Sequence, residues 1–427
     1  MSKKLSNLIK AETKRQQETL GLIPSENIAS PAVLAALGSP LTNKYSEGYP
    51  GKRYYQGNQI VDEIELYAQE QGLKAFGLRG ALSSVLPMSE SKVSELKGLG
   101  NSWFLNVQAH SGSPANAAIY FALAEPGDTV MGQSLAHGGH LTHGANLNFS
   151  SRFYNAVQYG LDPKKDLIDY DQVESLAKRH KPRIIYSGTT AYPQIIDFKR
   201  FGKIAKSVGA YHVADVSHIA GLIAGGAHQA PFPYADVVMA TTHKTMRGPR
   251  GAVIFSKGPE LAYKINKAII PGLQGGPHNN VTAAIAVMFE EMQKVAFKRY
   301  AKQVVKNAAV LAAELKRYGF ALVSGGTKTH LILIDLKSKN ITGKAAALLL
   351  EEAGIVANKN SVPGDEKPFN PSGLRIGTPL LTSRGMKEKE MKEVAMFMHH
   401  LVDLKEPAEF VRKEVVKLCK KFPLPYK

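Results

Sequence analysis

The sequence predicts an α/β fold: a mostly parallel sheet between helices, followed by a smaller α+β domain toward the C-terminus. Three observations carry this. From about Asn101 to Phe255, short apolar β-type runs alternate with stretches of helical spacing, the pattern of a sheet covered on both faces. A long helical stretch, about Asn280 to Lys316 with a break in it, is followed by a second and shorter set of strand and helix patterns. The 427 residues suffice for two or three domains, each with its own core.

Taken in order, the expected strands of the first region are Asp128–Met131, Arg183–Tyr186, Tyr211–Asp215, Asp236–Met239 and Ala252–Phe255. Helices are expected at 171–179 and 198–208. In the second region Phe320–Val323 and His330–Asp335 read as strands and Gly343–Ala353 as a helix. The segment Gly80–Gly100 stands apart, being rich in Ser, Lys and Gly without aromatics or a clean period. It reads as an exposed, mobile insertion with a short helix around Glu90–Lys97.

Composition excludes several classes. Hydrophobic content of 44% with 21% charged residues is that of a globular chain rather than a disordered one. No apolar run approaches the roughly 18 residues of a membrane span. The first 24 residues lack a secretory core, and Glu12 and Glu18 argue against a transit peptide, so a cytoplasmic location is expected. One cysteine, Cys419, excludes a disulfide scaffold and a cysteine-based zinc site. The net charge of +18 is spread along the chain and mixed with Glu. That is a generically basic surface, with nucleic-acid binding not expected beyond nonspecific attraction.

Four local motifs carry chemistry. In Met239-Ala-Thr-Thr-His-Lys-Thr-Met-Arg-Gly-Pro-Arg250 a strand delivers Lys244 into a hydroxyl-rich turn beside His243, Arg247 and Arg250. A lysine so surrounded loses its proton more readily, as Schiff-base chemistry requires, although a surface lysine would look similar in this turn alone. Asp215 ends an apolar strand and precedes Ser217 and His218. An acid there faces the ligand crevice of a parallel sheet or caps the next helix. His110-Ser-Gly-Ser-Pro-Ala-Asn116 opens a helix with main-chain N–H groups free for a phosphate, or with an ordinary cap. Finally, His137, His140 and His143 recur at spacing three, but Gly138 and Gly139 spoil a helix and no acid or cysteine lies in the stretch. No metal is therefore expected, and a flat imidazole against an aromatic cofactor is the better use.

Together with Ser25-Glu-Asn27, the stretch Leu41–Tyr55 (LTNKYSEGYPGKRYY), Gly272-Leu-Gln-Gly-Gly-Pro277, Asn358–Pro363 and Ser372–Pro379, these motifs make the chain resemble the serine hydroxymethyltransferases. The resemblance covers nearly the whole chain. It implies a fold-type I pyridoxal-phosphate transferase whose large domain holds a mostly parallel seven-stranded sheet. Domain limits follow it: an arm, 1–57, serving dimer and active site; a cofactor domain, 58–290, with an insertion at about 79–105; and a small domain, 291–427.

Carried over by position, the resemblance implies that Lys244 holds pyridoxal 5'-phosphate as an aldimine, with His243 beside it. Asp215 would pair with the ring nitrogen, His140 would stack on the ring, and His218 and Thr190 would sit near the ring hydroxyl. Ser111, Gly112 and Ser113 would hold the phosphate, joined by Tyr45 and Gly276 of a partner subunit. Ser25 and Arg375 match the substrate carboxylate site, a task that suits the planar arginine fork. Glu47 of the partner would handle the substrate hydroxyl proton, with Tyr54 and Tyr55 beside it. Leu135, Gly139, Leu141 and Asn360 match a tetrahydrofolate site.

The expected reaction is the interconversion of serine plus tetrahydrofolate with glycine plus 5,10-methylenetetrahydrofolate, in a homodimer with shared sites. The alternative is a folate-independent pyridoxal-phosphate aldolase for threonine-like β-hydroxy amino acids. Pro24 stands where the family usually has Ala, Thr190 where it has Ser, and Ile270 where an aromatic residue is frequent. The insertion precedes the phosphate loop, and a surface position is expected for it rather than one over the active-site mouth.

Overall fold

The computed structural model describes residues 1–87, 89–365 and 371–426. A seven-stranded sheet organises the larger part: β1 Trp103–Asn106, β2 Thr129–Gln133, β3 Asn155–Tyr159, β4 Ile184–Ser187, β5 Tyr211–Asp215, β6 Val237–Thr241 and β7 Ala252–Lys257. Their order across the sheet is β1-β7-β6-β5-β4-β2-β3, and β7 alone runs antiparallel to its neighbours. The central strands β4, β5 and β6 are buried almost throughout, as both faces are covered by helices.

Local chemistry sets the helices. In Phe198–Val208 the Asp197 carboxylate accepts the Arg200 N–H at 2.9 Å, Gly209 ends the helix at φ +74°, and Phe198, Phe201, Ile204 and Ala205 form the buried stripe. The long helical stretch resolves into Asn279–Gln293 and Val295–Arg317, with the break at Lys294.

A second sheet follows: β8 Ala321–Leu322, β9 Leu331–Asp335, β10 Asn358–Asn360 and β11 Gly373–Gly377, in the order β8-β9-β11-β10 and antiparallel throughout. Its core takes in residues from far away in the chain. Leu20 pairs with Ile355 in a short parallel bridge, and Leu20 and Leu22 are fully buried among Ile332, Leu374 and Ile376. Among the described residues, no helix is long and apolar enough to cross a membrane.

The segment Gly80–Gly100 departs from expectation. It forms three short 3-10 turns, Ser83–Val85, Glu90–Glu95 and Lys97–Leu99, but it does not lie free of the body. Ser83, Leu86 and Val93 are buried, Leu86 against Phe104 of β1 and Ala262 of the helix Pro259–Lys267. Gln69 exchanges two hydrogen bonds with Ser83, at 2.8 and 2.9 Å. Its apolar residues follow no helical or strand period because they reach inward from successive turns, which is why periodicity missed their burial.

Candidate active site

Five loops leave the same end of the large sheet, the edge at which α/β sheets take ligands. They bring Gly112, His140 and His143, Thr189 and Thr190, Ser217 and His218, and Lys244 around one pocket, with Asp215, Met239 and Thr241 on its floor.

Lys244 follows β6 by three residues, and its ammonium donates to Thr241 Oγ1 at 2.9 Å. Burial lowers its pKa to about 8; the Asp215 charge pulls the other way, while Arg375 and Arg250 add to the lowering. A neutral amine is thus available near neutral pH. Asp215 lies at the end of β5, its carboxylate taking hydrogen bonds from Ser217 N–H at 3.1 Å, Asn116 Nδ2 at 3.1 Å and His143 Nε2 at 3.2 Å. Burial raises its pKa, but the His143 hydrogen bond and charge outweigh burial and hold it below the usual carboxylate range. Its partners are His143 and neutral donors, with no lysine or arginine pairing among the described residues.

The helix Gly112–Leu123 begins at Ser111, whose side chain does not cap it. Its first N–H groups are therefore open to an anion. The backbone also packs tightly here: a Cβ at Gly112 would come within 2.6 Å of Thr241 Cγ2. Arg375, on β11 opposite Leu333, donates to Thr190 O at 2.6 Å and Asn358 Oδ1 at 3.2 Å. No carboxylate among the described residues pairs with it, and burial lowers its pKa to about 10. A half-buried arginine held by neutral acceptors has its charge left over for a ligand carboxylate.

The histidines divide. His140 Nδ1 contacts Thr142 Oγ1 at 2.8 Å, and burial first, then His143, lowers its pKa to about 4. His137 turns away, its Nδ1 accepting Leu161 N–H at 3.0 Å. His140 and His143 instead gather with Asp215, their donor atoms within 4.8 Å of one another. The acid missing from the local stretch thus comes from β5. His243 faces the other way, contacting Arg250 at 3.3 Å, and shares with Ser25 a separate cavity of about 380 Å³. Leu135 and Leu141 are exposed on the loop that carries His140, and Thr190 Oγ1 donates to Gly139 O at 2.9 Å. Asn360 lies on β10, beside the strand of Arg375.

Tyr45, Glu47, Tyr54 and Tyr55 are not brought to the Lys244 pocket of their own chain. Tyr45 and Tyr55 meet edge to face at 5.4 Å, Tyr45 rests on Gly276, and Glu47 lies by Gly275. The neighbouring Glu47 charge raises the Tyr45 phenol. The arm's backbone is nonetheless fixed: Arg53 pairs with Asp62 at 2.8 Å and with buried Glu65 at 2.6 Å, and also donates to the carbonyls of Ser46 and Gly48.

Sequence reasoning passed over Asn116, Ser217, Thr241 and the role of His143 toward Asp215. Asn116 stood inside the His110–Asn116 motif, one turn into the helix, and that spacing was the available signal.

The residues present fit pyridoxal phosphate. They offer an amine of lowered pKa, a buried anion across from it, uncapped helix N–H groups and an arginine without an acid. That set defines the class of α/β enzymes that hold an aldehyde cofactor on a lysine. A family model described as serine hydroxymethyltransferase matches residues 1–97 and 88–398, and its two stretches meet within the inserted segment. The chain belongs to the serine hydroxymethyltransferase family of pyridoxal-phosphate-dependent enzymes of fold type I, which transfer the hydroxymethyl group between serine and glycine.

Proposed function

We propose that the chain interconverts L-serine plus tetrahydrofolate with glycine plus 5,10-methylenetetrahydrofolate, with Lys244 as the cofactor lysine. The carrying observation is that Lys244 and Asp215 share one pocket while an acid-free Arg375 from the second sheet is hydrogen-bonded to Thr190 of its wall. Pyridoxal phosphate, when bound, supplies an electron sink for breaking the serine Cα–Cβ bond.

The chain's residues do the rest. With the cofactor bound, the Asp215 carboxylate would keep a proton on its ring nitrogen, and the open helix N–H groups at Ser111, Gly112 and Ser113 would hold its phosphate. Arg375 fixes the amino-acid carboxylate and so aligns the bond to be broken, whereas Ser25 lines the separate cavity of His243. Lys244 would hold the cofactor through its amine, and its lowered pKa makes the neutral amine accessible near neutral pH. The partner subunit's Glu47 takes the hydroxyl proton, with the partner subunit's Tyr54 and Tyr55 alongside. Residues 1–57 serve as this shared arm, 58–290 as the cofactor domain and 291–427 as the small domain. Members of the family are generally dimeric or tetrameric, as such sharing requires. The exposed pair Leu135 and Leu141, on the loop that carries His140, supports folate over a folate-free aldolase, because a flat apolar co-substrate could cover them.

The spectrum of the purified protein tests this. The holoenzyme should be yellow, and glycine with tetrahydrofolate should produce a strong long-wavelength band that glycine alone does not. Equal bands with and without tetrahydrofolate would favour the aldolase. A colourless chain that takes up no cofactor would end both readings.

A further inference from the structure

Behind His218 lies a second histidine to which no motif pointed. His330 immediately precedes β9 and is fully buried. Its Nε2 stands 3.2 Å from Nδ1 of His218, with the rings nearly stacked at 5.5 Å. The contact joins the two sheets: His218 follows β5, whereas His330 leads into the strand that pairs with the strand of Arg375. The His330 carbonyl accepts Thr378 N–H at 3.1 Å, which fixes its backbone.

Two imidazoles at this distance share one N–H and one lone pair. Burial first, and then the cations Lys244 and Arg375, hold His218 well below the ordinary imidazole range. Burial and Arg375 lower His330 to about 3. Both rings are therefore neutral, with one N–H each. If His218 supplied the shared proton, His330 would carry its own on Nδ1, which is buried and has no partner among the described residues. A buried N–H without an acceptor is the arrangement that folded proteins avoid most strictly. If His330 supplies the proton, its Nδ1 is a bare lone pair. His218 then keeps its proton on Nε2, the nitrogen left for the pocket that His218 lines.

We infer that His330 is a positioning residue: it donates its Nε2–H to His218 and thereby fixes His218 as a hydrogen-bond donor toward the cofactor's ring oxygen. This rests on the proposed reading that Lys244 and Asp215 hold the cofactor with His218 beside its hydroxyl. Because His330 belongs to the sheet of Arg375, the same bond ties the edge of the cofactor ring to the carboxylate site.

Long-range proton–nitrogen spectra of the 15N-histidine-labelled chain read the tautomers, with single substitutions assigning the signals. The expected result, with or without cofactor, is neutral His218 protonated on Nε2. In His330→Leu the His218 signal should shift to a tautomer mixture. The kcat should fall about tenfold, glycine affinity should stay within threefold, and cofactor loading should be retained. His330→Gln, which can place an amide N–H near the same point, should recover most of kcat. An Nδ1–H tautomer at His218 in the natural chain overturns the inference. An unaltered His218 tautomer in His330→Leu does so too, whatever kcat does. Should that variant not fold, the spectrum of the natural chain decides alone. Failure of the underlying reading looks different, for then no cofactor loads while the tautomers stand as stated.

Discussion

The pocket around Lys244 and the arm from Tyr45 to Tyr55 are built on opposite plans. In the pocket the side chains themselves are enclosed and partnered, Asp215 by three donors and Lys244 by Thr241. In the arm the backbone is pinned by Arg53, Asp62 and Glu65, but Tyr45, Tyr54 and Tyr55 stand 57, 56 and 48% exposed. Ordering a backbone while leaving large aromatic tips in water stabilises little within one chain. The difference teaches that the pocket encloses its polar groups within one chain, whereas the arm is built to present groups outward.

The largest effect tests the pocket. Lys244→Ala should abolish multiple turnover yet leave substantial cofactor binding, because Asp215 and the helix N–H groups remain. Absorbance of the protein after dialysis and steady-state assays measure the two separately. Normal turnover by this variant would remove Lys244 from the chemistry.

The arm is tested by pairing that variant with Glu47→Gln. Each homodimer should be nearly inactive. In a mixed dimer with crossed arms, one site carries both defects and the other neither. With random exchange half the dimers are mixed, so activity should return to roughly a quarter of the natural value per site. The two chains must be co-expressed, since a tight dimer exchanges slowly. Demonstrably mixed dimers without recovery would mean that Glu47 serves its own chain, and the contrast between the two regions would collapse.

Arg375→Ala comes next in size. Losing a charge-assisted bidentate contact costs about 1.5–3 kcal/mol, so glycine and serine affinity should fall at least tenfold while the resting cofactor spectrum is little changed. Titration with glycine checks this; an unchanged affinity would place the carboxylate elsewhere.

Legibility followed the same contrast. The strands Tyr211–Asp215 and Ala252–Phe255, the latter observed to run on to Lys257, and the helix Phe198–Val208 could be read from local pattern because each is one apolar stripe or run with a cap or turn beside it. Lys244, Asp215 and the Ser111 loop were legible as well, since each sits at a strand end where a polar cluster interrupts an apolar run. The role of His330 was not, although His330–Asp335 was expected as a strand. Its meaning lies in a contact with His218, 112 residues away, and only the packing of two sheets reveals it. The entry of Leu20 and Leu22 into the C-terminal core was hidden for the same reason. Glu65 was missed because a buried acid on the helix Gln59–Ala75 makes sense only once Arg53 and Gln108 are seen to meet it.

The smallest effect concerns the inserted segment, which shares features of both regions. Leu86 and Val93 are buried like pocket residues, yet the chain between them projects Ser89, Glu90 and Lys92 into water. Replacing Ser83–Gly98 with a short Gly/Ser linker removes two buried apolar side chains, each contributing about 1.5–3 kcal/mol at most, along with the Ser83–Gln69 hydrogen bonds. The change in loop length itself costs little. The melting temperature should therefore drop by a few degrees, and serine turnover should stay within about threefold of the natural enzyme. One contact could enlarge the effect: the Lys52 ammonium donates to the main-chain carbonyl of Leu86 and to that of Ser84 at 3.4 Å, tying the insertion to the arm two residues before Tyr54. Lys52→Met in the full chain isolates that contact. If the linker variant and Lys52→Met both lose turnover more than tenfold while dimer and cofactor are retained, the insertion braces the arm. A loss confined to the linker variant, matched by its fall in melting temperature, would instead trace to the packing of Leu86 on Phe104 and Ala262.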